Sequence, residues 1–90
     1  MDIIEELIEE LRNDSQVKQA RLSNKFLATV GDVCSRYGYG AVRLFLMGQD
    51  EPEAIVLLRV LEKIESRGLP SELGTLIFKK LNAIKFAGGE

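Results

Sequence analysis

The chain contains no histidine and only one cysteine, and these two shortages restrict its chemistry. Histidine is the commonest general base and the commonest metal ligand, so zinc, copper and haem sites of the usual types are not expected. One thiol cannot form an internal disulfide, and Cys34 has no histidine to activate it. We therefore expect Cys34 to be a small buried hydrophobe, and we expect neither enzymatic activity nor a cofactor.

Long apolar runs and glycine-rich phosphate loops are missing as well. Apolar runs such as 44–47, which ends at Gly48, are far shorter than the roughly 20 residues of a membrane span. Acidic residues follow Met1 at once, where a secretory leader would be basic and then apolar. The Gly-Tyr-Gly stretch at 38–40 lacks the third glycine and the lysine of a phosphate loop. We expect no membrane span and a cytoplasmic location.

The composition is that of one small globular domain. The 90 residues are 46% hydrophobic and 29% charged, which argues against intrinsic disorder and predicts a single helical domain over 1–90. The net charge of −2 gives no overall attraction to nucleic acid or to anionic membranes, although it leaves room for a local basic face.

Apolar residues recur at the helical period through the first half of the chain. Segment 2–12 carries its apolar side chains on one face and its acids on the other, which predicts an amphipathic helix that ends in a turn at 13–15. The same period predicts the longest helix over 16–37, with Gly31 as a weak point or a place of close helix approach. Gly38 is placed to end that helix in a left-handed conformation.

The second half of the sequence predicts three more helices. Segment 41–47 alternates like a strand but consists of good helix formers, and a lone strand would have no partner, so we expect a short buried helix. A turn with a capping box of Asp50 and Glu53 leads into a helix over 53–67, and the last helix starts at Pro70. We expect residues 87–90 to fray. The prediction is an all-α bundle of four main helices and one short helix, with antiparallel neighbours.

The helix at 53–67 carries more apolar surface than an outer helix needs. Its apolar arc of about 200° exceeds the stripe of about 100° that faces a core. Either this helix is central in the monomer, or part of it forms a subunit interface with segment 41–47. We favour a homodimer that acts as a protein–protein interaction module. The candidate interface residues are Val42, Phe45, Leu46, Ile55, Leu58 and Leu61.

Basic residues give an alternative function, that of a small DNA-binding transcriptional regulator. Lys18, Arg21 and Lys25 fall on one side of the predicted helix, where they could contact phosphates or pair with the acidic face of 2–10. Segment 54–86 also resembles a helix-turn-helix in outline, with Lys79 and Lys80 on its second helix. Nucleic acid is the less favoured partner, because no base-reading residues are evident there.

Overall fold

The computed structural model describes residues 2–86, with the side chain of Phe86 left outside the description. Within this range the chain is helical without strands, which confirms the predicted all-α class. The predicted fraying at 87–90 lies outside the described residues. The helices are α1 (Ile3–Asn13), α2 (Ser15–Gln19), α3 (Asn24–Tyr37), α4 (Tyr39–Met47), α5 (Pro52–Ser66), α6 (Ser71–Lys79) and α7 (Leu81–Phe86).

Side-chain caps start the first three helices. At α1, the backbone N–H of Glu5 donates to Asp2 Oδ1 at 2.8 Å and the Asp2 N–H donates to Glu5 Oε1 at 3.3 Å, so the two residues form a capping box. At α2, Asp14 accepts from the first backbone N–H groups, and at α3 the Ser23 hydroxyl accepts from the Phe26 N–H at 3.0 Å. These bonds satisfy backbone donors that a helix start leaves unpaired.

Three predicted boundaries in this chain were wrong. The predicted helix over 16–37 is two helices, because Ala20 is extended and Ser23 caps a new start at Asn24. The last helix is also divided, at Lys80. The predicted capping box at Asp50 does not form, since α5 begins after Glu51 with Pro52 in its first turn and no side-chain cap. The carboxylate of Glu53 accepts instead from the Ser23 N–H of α3 at 3.3 Å.

Glycines at the ends of α3 and α5 take left-handed conformations. Gly38, with φ of 89°, ends α3 as predicted, and α4 starts immediately after it. Gly68, with φ of 70°, follows the last residues of α5. The segment that could have been a strand is the helix α4, which confirms the helical prediction for 41–47.

The core is enclosed by the helices of the single chain. The central helix α5 contacts α1, α2 and α4, while α3 packs most extensively on α6 and also meets α4, and α7 closes against α1. The buried face of α5 is therefore covered within the monomer, while Ile55 on its outer side is exposed. All seven helices contribute to the largest fully buried side chains of the described residues: Phe78, Leu7, Leu11, Leu27, Leu46, Leu57, Leu61, Ile64, Leu81, Val17, Val30 and Val42.

Two glycines allow α3, α4 and α6 to approach one another. A Cβ added at Gly31 would lie 2.5 Å from Cγ of Lys79, so the close approach predicted at Gly31 is confirmed. A Cβ added at Gly74 would lie 2.6 Å from the ring of Tyr39. The Tyr39 hydroxyl reaches past Gly74 and donates to the carbonyl of Leu69 at 2.7 Å, which ties the start of α4 to the turn before α6.

Candidate interaction surface

Helices α4 and α5 lie antiparallel, and one ion pair shows which flanks face each other. Arg43, in the middle of α4, pairs with Glu65, near the end of α5, although only a short link at 48–51 joins the two helices. The hydroxyl of Tyr39, the first residue of α4, donates to the carbonyl of Leu69 just beyond α5, so the start of one helix is beside the end of the other. The side chains of Arg43 and Glu65 are both partly exposed, so the seam between the helices is open to solvent along this flank.

Three large apolar side chains are exposed along this seam. Leu44 is 74% exposed, Met47 is 66% exposed and Ile55 is 68% exposed. At 3.6 residues per turn, Met47 and Leu44 lie about 40° and about 100° from Arg43, turning away from the core. On α5, Leu58 and Ile55 lie about 20° and about 80° from Glu65, again away from the core. The four side chains, Leu44, Met47, Ile55 and Leu58, form what we call the α4–α5 face.

The structure divides the predicted interface residues into three groups. Val42, Leu46 and Leu61 are buried in the core of the single chain, so assigning them to a subunit interface was wrong. Phe45 and Leu58 are half-buried, and the Phe45 ring packs with its centroid 5.9 Å from that of Phe26. Ile55 is the predicted interface residue with an exposed side chain.

Leu44 and Met47 are not among the interface residues predicted from the sequence. Both lie in the apolar segment 41–47, from which Val42, Phe45 and Leu46 were the predicted interface residues. Once α4 is taken as a helix, the spacing of three residues between Leu44 and Met47 puts them on one face, opposite the buried pair Val42 and Leu46. That spacing was the available signal.

The predicted basic residues do not form one patch. Lys18, Arg21 and Lys25 are exposed where α2 ends and α3 begins. Lys79 lies elsewhere, with its ammonium 3.0 Å from Asp32 Oδ1 across the α3–α6 contact. Lys80 borders an apolar groove between α1 and the pair α6 and α7. In the helix-turn-helix-like arrangement, Lys79 is therefore already paired with Asp32 of the same chain.

Other basic residues pair with an acid of α1 that was one alternative partner for Lys18, Arg21 and Lys25. The carboxylate of Glu10 on α1 accepts a hydrogen bond from Lys63 Nζ of α5 at 2.6 Å. It also pairs with Arg67, which directly follows α5. The hydrogen bond from Lys63 lowers the pKa of Glu10, although burial alone would raise it. The acidic face of α1 is thus joined to α5, and the expected pairing with the 18–25 segment is absent from the described residues.

Asp14 is a buried carboxylate at the junction of α1, α2 and α5. It accepts from the backbone N–H groups of Gln16 at 2.9 Å and Val17 at 3.2 Å, and from Arg59 Nε at 2.6 Å. Burial opposes ionisation, but the hydrogen bonds from Arg59 and from the α2 backbone outweigh it and lower the pKa of Asp14. Asp14 therefore caps α2 and fixes α5 against it.

Cys34 is buried in the core, as predicted. Its thiol donates weakly to the carbonyl of Ser71, with 3.6 Å between sulfur and oxygen, and burial raises its pKa. A thiolate is the reactive form of cysteine, so this environment disfavours a nucleophile. Burial likewise raises the pKa of Tyr39 to about 12, and its hydroxyl serves as a hydrogen-bond donor.

No cluster of metal-ligating side chains occurs among residues 2–86. Over the same residues, no helix has the length and apolar character needed to cross a membrane. Comparisons with models of protein families, with curated protein sequences and with solved structures gave no match to this chain.

Proposed function

We propose that the chain is a non-enzymatic protein–protein interaction module that forms a homodimer through the α4–α5 face. The observation that carries the proposal is the exposure of Leu44, Met47 and Ile55 along one seam. Burying a large aliphatic side chain contributes roughly 1.5–3 kcal/mol of free energy. Because these three side chains are mostly exposed in the monomer, most of that free energy would be gained only when a partner covers them. The burial of Cys34 supports binding rather than catalysis, because it removes the candidate nucleophile from the surface. A reduced, buried thiol also suits the cytoplasmic location that we propose.

The charges beside the α4–α5 face suit a second copy of the chain. Arg43 and Glu65 neutralise each other next to the apolar side chains, so two copies would meet there without net repulsion. Along the outer side of α5, Arg59 and Glu62 are exposed and carry opposite charges three residues apart. A two-fold axis that pairs the α5 helices antiparallel would bring Arg59 of one copy toward Glu62 of the partner.

This proposed dimer is in equilibrium with a folded monomer. Because the core of one chain is complete, with α5 covered by its own neighbours, no shared core is required. A standard interface covers about 800 Å² on each partner, which would be about a seventh of the 5446 Å² surface of this chain. The α4–α5 face supplies the apolar centre of such an area, and the adjoining polar residues of α4 and α5 supply its rim.

A pair of matched substitutions tests the proposal. Leu44→Glu places a charge in the centre of the α4–α5 face, whereas Leu76→Glu places the same charge at another exposed leucine on α6. We expect light scattering coupled to size exclusion to give a dimer for the wild type and for Leu76→Glu, and a folded monomer for Leu44→Glu. Circular dichroism confirms that both variants keep the helical fold.

Two results would contradict the proposal. A wild-type chain that stays monomeric up to about 500 µM would exclude a dimer of useful affinity, because the dissociation constant would exceed that value. A dimer broken by Leu76→Glu but not by Leu44→Glu would move the interface to the groove between α1 and α6.

A further inference from the structure

Three cationic side chains at the α2–α3 junction carry charge that the folded chain does not neutralise. Lys18, Arg21 and Lys25 are exposed, and none of them forms an ion pair with another residue of the described range 2–86. Other cations in the same range do hold carboxylates, namely Arg43, Arg59, Lys63, Arg67 and Lys79. The charge at this junction is therefore available to an external anion.

The surrounding sequence strengthens the positive potential there. No aspartate or glutamate occurs between Asp14 and Asp32, although the whole chain has a net charge of −2. The fold brings Glu53 to this region from outside the segment, and its carboxylate accepts from the Ser23 N–H. The acids of the chain are concentrated instead on α1, so the molecule is polarised between an acidic helix and a basic junction.

Arg21 stands between two open cavities of different character. The first, of about 310 Å³, is lined by Arg21 together with Gln19, Pro52 and Glu53. The carboxylate of Glu53 would repel an anion there. The second, of about 410 Å³, is lined by Arg21, Ser23, Asn82 and Lys85, and the described residues that line it include no acid. Of the two cavities, the second is therefore the one whose described lining does not repel an anion.

Lys85, in α7, lies buried against the α2–α3 link. Its ammonium donates to the carbonyl of Ala20, which lies next to Arg21, so its position is fixed by the α2–α3 link. Asn82 is held in the same way, since its amide donates to the Leu22 carbonyl at 2.9 Å. The side chains of Asn82 and Lys85, which line the second cavity, are thus held in place by hydrogen bonds within the chain.

We propose that the α2–α3 basic surface, made of Lys18, Arg21 and Lys25, binds the phosphate backbone of a nucleic acid without reading its bases. A duplex presents a negative charge about every 1.7 Å, so several of these cations can contact phosphates at once. The exposed neighbours are polar, among them Gln16, Gln19 and Asn24, and no large apolar side chain is exposed between 15 and 31. Membrane-surface helices carry apolar anchors beside their cations, so this surface favours nucleic acid over lipid.

The proposal is independent of the homodimer, and salt dependence tests it directly. Fluorescence anisotropy with a labelled mixed-sequence duplex would measure binding by the full chain. For three phosphate contacts we expect a log–log slope of about −2.7, so that the association constant falls about 40-fold between about 50 mM and about 200 mM salt. The affinity should not depend on the base sequence of the duplex.

A charge-matched pair of variants assigns the binding to this surface. The double variant Arg21→Ala and Lys25→Ala should reduce the magnitude of the slope by about 1.8, the amount expected for two lost contacts. The control is Arg36→Ala with Lys80→Ala, which removes the same charge from exposed positions elsewhere and should leave the slope unchanged. All four positions are exposed, so both variants should fold, which circular dichroism checks.

Three outcomes would overturn the proposal. The first is no detectable binding of the duplex at about 50 mM salt, where electrostatic binding is strong. The second is an equal loss of binding in the control variant, which would show a response to net charge alone. The third is binding to vesicles containing phosphatidylserine without binding to the duplex, which would show that the surface binds anionic membranes.

Discussion

Arg59 Nε lies 2.6 Å from Oδ2 of Asp14, and this contact joins the central helix α5 to the junction between α1 and α2. The aspartate is 4% exposed while the arginine is 47% exposed, so the anion is buried and the cation remains close to solvent. The same carboxylate caps α2 through two backbone N–H groups. The Asp14 side chain therefore connects α1, α2 and α5.

Replacing Asp14 should destabilise the fold more than replacing an exposed ion-pair partner. Asp14→Ala removes the α2 cap and the bond to Arg59, and loss of an N-cap alone costs about 1 kcal/mol. Asp32→Ala breaks the exposed pair with Lys79 and should cost no more than about 1 kcal/mol. Urea unfolding of both variants measures the difference. An equal or smaller loss for Asp14→Ala would contradict the role of Asp14 as a junction.

Acid should weaken the fold through the same residue. The pKa of Asp14 is lower in the folded chain than the value of about 3.9 in an unfolded chain, so its contribution is present above that value. As pH falls through the folded pKa, the carboxylate is protonated and the contribution is lost. We expect the stability of the wild type to fall more steeply than that of Asp14→Asn below about pH 4, as followed by unfolding curves. Parallel pH profiles for the two proteins would refute this.

The origin of these contacts shows how far the sequence could predict the structure. The amphipathic period identified α1 and α5, and Gly38 identified the end of α3. At the break at 20–23, the Ser23 hydroxyl caps α3 through the nearby Phe26 N–H, a signal that the sequence contains. The Ser23 N–H also donates to Glu53, 30 residues away, and local patterns do not contain that contact. Pairing with the acids of α1 was one of two alternatives for Lys18, Arg21 and Lys25, and Glu10 of α1 pairs instead with Lys63 and Arg67.

The α4–α5 face was predicted in part for a similar reason. The excess of apolar residues in 41–47 and 53–67 was visible in the sequence, and it drew attention to Ile55, which is exposed, and to Leu58, which is half-buried. Which of those residues remain exposed depends on how α4 rotates against α5. That rotation is shown by the pairing of Arg43 with Glu65, two residues far apart in sequence.

Gly74 should not tolerate a methyl group. Alanine normally stabilises a helix interior relative to glycine by about 1 kcal/mol. At Gly74 the new Cβ would lie 2.6 Å from the Tyr39 ring, which its hydrogen bond to Leu69 holds in place. We expect Gly74→Ala to lower the free energy of unfolding by about 1–3 kcal/mol.

Gly31 provides the comparison for this prediction. There a Cβ would meet the aliphatic part of Lys79, a flexible side chain that can move aside. Gly31→Ala should therefore be less destabilising than Gly74→Ala in the same urea titration. The reverse order would show that the Tyr39 contact does not constrain α6.

Cys34 should react slowly with thiol reagents in the native protein. Its sulfur is buried and its pKa is raised by that burial, so the thiolate is both scarce and inaccessible. We expect labelling by a chromogenic disulfide to be slow in buffer and fast in denaturant. Rapid labelling under native conditions would indicate an open path between α3 and α6.

The most direct test of a homodimer through the α4–α5 face is sedimentation equilibrium of the wild-type chain and of Leu44→Glu over a wide concentration range. We predict that the wild-type mass rises with concentration toward twice that of one chain, while the mass of the folded variant stays at that of one chain. A wild-type mass that remains at one chain throughout, or a variant that associates as the wild type does, would contradict it.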